Sequence, residues 1–513
     1  MNLYDIDPAR QREIAERRLL RYLRDYVAPF HPYFRKTWRE HGIDPRSIRT
    51  MDDFRKLPIL EKQPLQSHPL LFILRAKVPG APALPDGYDC EPLGRGKLVQ
   101  YALKAALGAR RDRSALVRRD SFRERIRREG MLEWLPIHTH FSTGSSGTPT
   151  PVTFTHFDIQ QNVREMASLA IQAKHPPPGY QPFAWDERKM SLFPGAPHVA
   201  FYAPLMAKML VGTPSFETFG GHVIPTEKQI TLFVSGGFET LFAIPSYLVY
   251  WLRKAAAMQA EGKVGPLRRL RRVILGAEPV SEPLRDHLRQ LATAAGADPG
   301  LKIIQTAGMT EMKWTFIECM ERSGLHLNPK FYYWELLHPE TRQPVGPREP
   351  GVLVFTHIGW RGTVLVRYWT GDLIKGGMVW DRCEACGWTF PRIFPPMCRA
   401  EQDFTKIKGA RVDLSLLVET IRDTPGVRTF QVSIESEGGV EFAPDQLVVN
   451  VIAEAGSAEQ DVRAALAARV KERTEVSPDR IVFEYDEVAF EKRLFAKKVL
   501  KAEFVVERRP SRQ

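Results

Sequence analysis

The stretch that most constrains this chain is Phe141-Ser142-Thr143-Gly144-Ser145-Ser146-Gly147-Thr148-Pro149-Thr150-Pro151-Val152. Small and hydroxylated residues cannot build a core, yet a strand-forming run follows at once at Val152-Thr153-Phe154. Gly144 and Gly147 let the backbone turn sharply, so that successive N–H groups point inward. The hydroxyls of Ser142, Thr143, Ser145, Ser146 and Thr148 add donors without bulk. Such a loop suits a polyphosphate. Composition alone would also describe a Ser/Gly linker. Pro149, the β-rich residues after it and the absence of any low-complexity spread favour the phosphate loop. It is not of the Walker kind, because no Gly-Lys-Ser/Thr ends it.

A length of 513 residues suggests roughly three structural units. The net charge of +13 fits attraction to polyanions. Nucleic acid, ATP, coenzyme A and acidic carrier proteins all qualify, so charge alone does not choose. No run approaches the ~18 apolar residues of a membrane span, and the start lacks the basic-then-apolar order of a signal peptide. Five cysteines in this length do not make a disulfide framework. The cytoplasm is the expected compartment.

Residues 8–28 carry helical apolar spacing, and Thr50 with Asp53 forms a helix-capping pair. Residues 66–136 are an insertion in which arginines crowd 109–128. Its apolar residues are spaced for an amphipathic helix, which favours a solvated helical face over a polyanion or membrane element. From 150 to 310, apolar strand-like runs at 240–244, 272–276 and 302–305 alternate with helices at 246–259 and 282–295. That alternation predicts an α/β body with a largely parallel sheet. Residues 351–356 and 363–368 read as antiparallel strands. After Asp403, helices 413–423 and 458–473 with strands 429–435, 446–453 and 481–486 predict a small α+β unit. The division expected is 1–398 and 399–513.

Several motifs then agree in order and spacing. Ser142-Thr143-Gly144-Ser145-Ser146-Gly147-Thr148-Pro149, Ile244-Pro245-Ser246-Tyr247, Gly276-Ala277-Glu278-Pro279, Gly308-Met309-Thr310-Glu311, Arg367-Tyr368-Trp369-Thr370-Gly371-Asp372 and Arg493 to Lys501 resemble those of the adenylate-forming acyl- and aryl-CoA synthetases. The phenylacetate–CoA ligase branch is the nearest. The resemblance implies a large α/β domain with mixed sheets and a small mobile α+β lid. It implies that Ser142 to Thr148 hold the phosphates of ATP. Gly276, Ala277, Glu278 and Pro279 would contact adenine, and Asp372 with Arg399 the ribose. Thr310 and Glu311 would be catalytic, with Glu311 on Mg²⁺. Lys498 would be the adenylation lysine, and Asp403 the hinge. An acyl pocket is expected near Phe201, Tyr202, Ala307 and Gly308. Three departures stand out: Ala307 where the family has an aromatic residue, Ala496-Lys497 where it has Ser-Gly before the lysine, and Arg399 four residues before Asp403 instead of three.

The chemistry asks for these residue types. A carboxylate must meet the α-phosphorus of ATP while pyrophosphate leaves, and the charge that develops needs N–H donors, a cation and a metal. The implied second step brings the thiol of coenzyme A, or a carrier's phosphopantetheine, onto the acyl-adenylate.

Cys383-x2-Cys386, with Gly387 suited to the turn, is half of a metal knuckle, and Cys319-x6-His326 supplies the other half. Three thiolates and an imidazole make a closed structural Zn²⁺ set. Cys90 and Cys398 have no partner pattern. The reading is an ATP-dependent ligase that joins a small carboxylic acid, aromatic by preference, to coenzyme A. Transfer to a carrier protein, a protein cysteine or an amine is the alternative, and homodimerisation stays open. A basic nucleic-acid binder ranks last, because the arginines at 109–128 alternate with aliphatic residues instead of aromatics.

Overall fold

The computed structural model describes residues 5–77, 83–111, 121–142, 149–169, 186–195, 199–221, 223–399, 404–407, 410–436, 445–494 and 503–508. Among these, no helix is long and apolar enough to cross a membrane.

The hairpin β1 (Pro136–Phe141) and β2 (Pro151–Thr155) brackets the Ser/Gly loop. Next come β3 (Lys189–Ser191), β4 (Ser215–Glu217), β5 (Thr240–Ala243), β6 (Arg272–Leu275), β7 (Lys302–Met309), β8 (Trp314–Glu318) and β9 (Leu325–His326). Then follow β10 (Tyr332–Leu337), β11 (Gly351–His357), β12 (Tyr368–Ile374), β13 (Met378–Val379), β14 (Arg392–Ile393) and β15 (Met397–Arg399).

One nine-stranded sheet runs β13-β14-β9-β8-β7-β6-β5-β3-β4. Its β4-β3-β5-β6-β7 half is parallel, as the alternating pattern predicts, and the rest is antiparallel. Crossover helices Pro245–Ala260 and Glu282–Ala294 cover the parallel half and bury Trp251, Leu252, Leu284 and Leu288 against it. An antiparallel sheet β10-β11-β12-β15 packs with the N-terminal helix Pro8–Tyr22 into a second core that holds Trp334, Phe355, Tyr368 and Trp360.

Residues 404–508 build their own core around Val432, Val449, Leu466 and Val470. Strands β16 (Phe404–Ile407) and β17 (Ala410–Asp413) form a hairpin, and β18 (Val427–Ser436), β19 (Asp445–Ala453), β20 (Arg480–Phe483) and β21 (Val505–Glu507) form a sheet in the order β20-β19-β18-β21. A large mixed α/β body and a small α+β domain are therefore both present.

Two local expectations change. The helix expected over 8–28 is an α-helix only to Tyr22, and continues as a π turn over Leu23–Val27. The strand expected at 363–368 lies one step later, at β12. Residues 363–367 are buried but irregular, because their N–H groups find partners outside any ladder. Thr363 donates to Thr153 O, Val364 to Phe72 O, Leu365 to His357 Nδ1 and Arg367 to Thr356 Oγ1. The Thr50–Asp53 cap is present, with both reciprocal bonds.

The basic insertion folds as a hairpin of helices Arg95–Arg111 and Phe122–Trp134. It is held to the body by Glu133, which accepts from Lys97, Tyr101 and Arg361. Its outer face is not wholly polar: Val99, Leu103 and Leu107 are 58–62% exposed.

One buried carboxylate ties the body together. Asp158, just past β2, accepts from the backbone N–H groups of Thr155, Arg361 and Gly362. Its Oδ2 also lies 3.6 Å from the buried Lys313 ammonium. The approach is so close at Gly362 that a Cβ there would sit 2.0 Å from Thr153 O. Replacing Asp158 by Ala strands three backbone donors and an ammonium, so Asp158→Ala should cost about 3–5 kcal/mol in urea unfolding. A loss under 1 kcal/mol would refute this account of the core.

Candidate active site

The site gathers where the parallel strands end, the expected place in an α/β sheet. β7 ends at Met309, and a tight turn, in which Lys313 N–H donates to Thr310 O, carries Glu311 before β8 begins. The Glu311 carboxylate is buried. Its Oε1 lies 3.3 Å from Lys62 Nζ and accepts from the Tyr368 hydroxyl at 3.4 Å. Burial, and then the Glu311 charge, hold the Tyr368 phenol well above its ordinary pKa. Lys62 and Tyr368 were not singled out in the sequence. Lys62 starts a short helix 249 residues before Glu311, so only the fold brings it there.

Asp372 sits in β12, opposite Arg399 of β15, and the Arg399 Nε to Asp372 Oδ1 distance is 3.2 Å. The Arg399 guanidinium also donates to Thr370 O at 2.7 Å. Gly371 has φ +74° at the point where the β11–β12 register slips, so a glycine supplies the left-handed residue of the bulge.

The turn after β6 holds Gly276 to Pro279. Ala277 has φ +72°, a left-handed conformation that a residue with a Cβ adopts only where its surroundings impose it. The Glu278 carboxylate accepts from Ser246 N–H at 3.0 Å and Ser246 Oγ at 2.8 Å. That carboxylate therefore anchors the turn to the N-terminus of the Pro245–Ala260 helix, where the helix dipole favours negative charge.

At the mouth of the Ser/Gly loop, Ser142 N–H donates to Thr150 O, and Thr150 N–H returns a bond to Ser142 Oγ, each at 3.0 Å. This closes the neck of the loop. Thr143, Gly144, Ser145, Ser146, Gly147 and Thr148 lie outside the described residues, as do Asp403, Ala496, Lys497 and Lys498.

A cavity of about 250 Å³ opens beside these turns. Ala307 and Gly308 line it, together with Gly276 and Ala277. Gly308 is required by the closeness of β8, since a Cβ would stand 2.8 Å from Trp314 O. The helix Val199–Val211 presents Pro204, Ala207, Lys208 and Val211 to the cavity. Phe201 and Tyr202, expected in this wall, are not among the lining residues. Phe201 lies one turn earlier and packs on Phe219, and Tyr202 stacks on His140.

The cysteine pairs meet as well. The ligand atoms of Cys319, His326, Cys383 and Cys386 all lie within 4.8 Å of one another. Cys319 Sγ is 3.7 Å from Cys383 Sγ, and Cys386 Sγ is 3.6 Å from His326 Nε2. A tetrahedral zinc ion would set these separations at about 3.8 and 3.5 Å. Gly387 donates back to Cys383 O with φ +75°, closing the knuckle turn. Cys90 and the buried Cys398 lie outside this group and form no disulfide.

Directly after the Glu311 turn, Lys313 is fully buried between the rings of Phe154 and Trp360, with its Nζ 5.1 and 4.7 Å from their centroids. Burial lowers its pKa from 10.5 to about 8, against the opposing pull of Asp158. The unfolded chain therefore binds the extra proton between pH 8 and pH 10.5. This group makes the fold more stable as pH rises through that window. Lys313→Met should flatten the difference in Tm measured across it, and an unchanged pH slope would sink the assignment.

No protein-family model matches the chain. A phenylacetate-coenzyme A ligase of Thermus thermophilus is 26% identical over 444 residues, covering 84% of this chain and 80% of the relative. Those of Pseudomonas putida and Escherichia coli are 26% and 25% identical, and the chain spans about 60% of their lengths. Among solved structures, 2-hydroxyisobutyryl-CoA ligase in the postadenylation state with 2-HIB-AMP aligns at a TM-score of 0.70 and 17% identity, over 98% of this chain and 91% of that one. The open form of that ligase, with 2-HIB-AMP and CoA, aligns at 0.57. In sequence the chain is similar to phenylacetate–CoA ligases, and it has the fold of 2-hydroxyisobutyryl-CoA ligase.

Proposed function

We propose that the chain is an AMP-forming acid–thiol ligase, which adenylates a carboxylic acid and passes the acyl group to coenzyme A. The observation that carries this reading is the meeting of two sheets beside an apolar cavity: Glu311 and the 276–279 turn follow strands of the nine-stranded sheet, and β12 of the four-stranded sheet brings Tyr368 onto Glu311 and carries Asp372, paired with Arg399 of β15. In this reading the cavity orients the acid, with its carboxylate at the Gly308 end. Asp372 accepts the ribose hydroxyls, and Arg399 holds Asp372 in place. The 142–148 loop meets the departing pyrophosphate with N–H donors, while Lys498 places a compact positive charge between carboxylate and α-phosphate. Glu311 would hold Mg²⁺, which supplies positive charge at the phosphates. Withdrawal of Lys498 with the small domain would then admit the thiol.

We assign Zn²⁺ to the Cys319, His326, Cys383 and Cys386 set. Four protein ligands leave no open position, so its role is structural. Free cysteines and ATP chemistry suit a reducing, cytoplasmic setting. A second reading concerns the acceptor. The basic helix hairpin with Val99, Leu103 and Leu107 exposed would suit an acidic carrier protein bearing phosphopantetheine.

ATP–pyrophosphate exchange should appear when aryl and alkyl carboxylates are screened, and fall by about 10²-fold or more in Lys498→Ala. Silence with every acid would remove the ligase reading. Metal analysis should find one zinc per chain. Cys386→Ser should lose it and melt at lower temperature, and a wild type purified metal-free with an unchanged Tm would remove the zinc.

A further inference from the structure

The cavity beside the Gly308 turn is longer than one ring. Its sheet wall is a single row of residues on five neighbouring strands: Phe242 of β5, Ile274 of β6, Thr306 of β7, Ile317 of β8 and His326 of β9. The ladders align them, since Phe242 pairs with Ile274, Thr306 with Ile317, and Ile317 with His326. Ile274 pairs with Ile304, two residues before Thr306 and so on the same face of β7. Four inter-strand steps of ~4.8 Å separate the first of these residues from the last, so the lining runs across about 19 Å of sheet. The Val199–Val211 helix lies over β7 and β8, with Lys208 reaching the Phe242 ring of β5, and Trp388 and Phe390 stand beside His326 at the β9 end.

Volume and lining choose the occupant. A buried apolar cavity of about 150 Å³ accepts benzene, and this slot offers about 250 Å³. Its walls are rich in rings, including Phe193, Phe242, Trp388 and Phe390, whose faces and edges suit further aromatic carbon. Among the described lining residues, both ammonium groups already have partners: Lys208 is held by the Glu217 carboxylate at 2.6 Å, and Lys189 donates to the Glu187 carbonyl at 2.8 Å. A second carboxylate on the substrate would have to displace one of them. From this we infer that the acid activated here is a monocarboxylic aryl acid with two rings, fused or linked, and that Trp388 sets the length limit.

Trp388 owes that position to the cysteine turn. It follows Cys386-Gly387 directly, its carbonyl accepts from Cys383 N–H at 2.7 Å, and its ring centroid lies 6.1 Å from that of His326. The residue that measures the substrate's far end is thus fixed by the knuckle, not by the adenylating turns.

This inference rests on the ligase reading, and the test separates the two. Exchange would be measured with phenylacetate, 1-naphthylacetate, 4-biphenylylacetate and decanoate. Binding of each acid without ATP would be followed by calorimetry. The two-ring acids should exceed phenylacetate in kcat/KM by about tenfold or more. Trp388→Ala should raise KM for them with kcat little changed, and Trp388→Phe should restore it. Because Trp388→Ala could disturb the knuckle, a slot-filling Ala207→Phe gives an independent arm, and it should invert the preference toward phenylacetate. Best turnover with phenylacetate or with decanoate overturns the proposal. Two-ring binding without any exchange supports the slot and sinks the ligase reading. No binding by any acid sinks the slot.

Discussion

The body of this protein hangs on a carboxylate that water never reaches. Asp158 takes three backbone N–H groups from two chain segments and sets its remaining charge against Lys313. It joins three segments: the strand leaving the Ser/Gly loop, the irregular turn before β12, and the turn that follows Glu311. Neutralisation is what makes such burial tolerable, because an isolated charge at this depth would cost far more than the fold's net stability. The rings of Phe154 and Trp360 then sandwich the ammonium and complete the joint. A tie of this kind fixes spacing more than it adds stability. The loop end, the Glu311 turn and the 358–363 turn cannot move independently.

Much of this was legible in the sequence where local chemistry decides. The β5, β6 and β7 runs are short and apolar with helices between them, and they form the parallel half-sheet that such alternation demands. Thr50 and Asp53 cap as their spacing requires. Cys319, His326, Cys383 and Cys386 meet because two-residue spacing forces a turn and the distant pair completes the donor set. What stayed hidden depends on tertiary partners. The apolar run 363–367 is as strand-like as any other, but its donors are claimed by Thr153, Phe72, His357 and Thr356. Lys62 and Tyr368 join Glu311 across long separations, which no spacing rule reports. Phe201 and Tyr202 stand on a cavity-lining helix, yet one lies a turn too early and the other turns toward His140.

Glu278 shows how one residue can serve the frame and the site together. Its place in the 276–279 turn suggests contact with a nucleotide, but its side chain is spent on Ser246 and the N-terminus of the Pro245–Ala260 helix. This leaves Gly276 and Ala277, the latter held in a left-handed conformation, as the part of the turn that faces the cavity. The cysteine knuckle works in a similar way. It is separate in sequence from the 276–279 and 308–311 turns, yet it carries Trp388 and Phe390, which line the same cavity.

The contact between Lys62 and Glu311 has a further consequence. The ammonium sits 3.3 Å from the Glu311 carboxylate, and the two differ in exposure, 34% for the lysine side chain and 8% for the carboxylate. A buried charge is thus balanced by a partner that still reaches water, which is less costly than burying both. Such a partner can swing away without disturbing the packing around Glu311. In the ligase reading, Lys62 would turn to the phosphate oxygens when Glu311 takes Mg²⁺, so that metal and nucleotide would be taken up together.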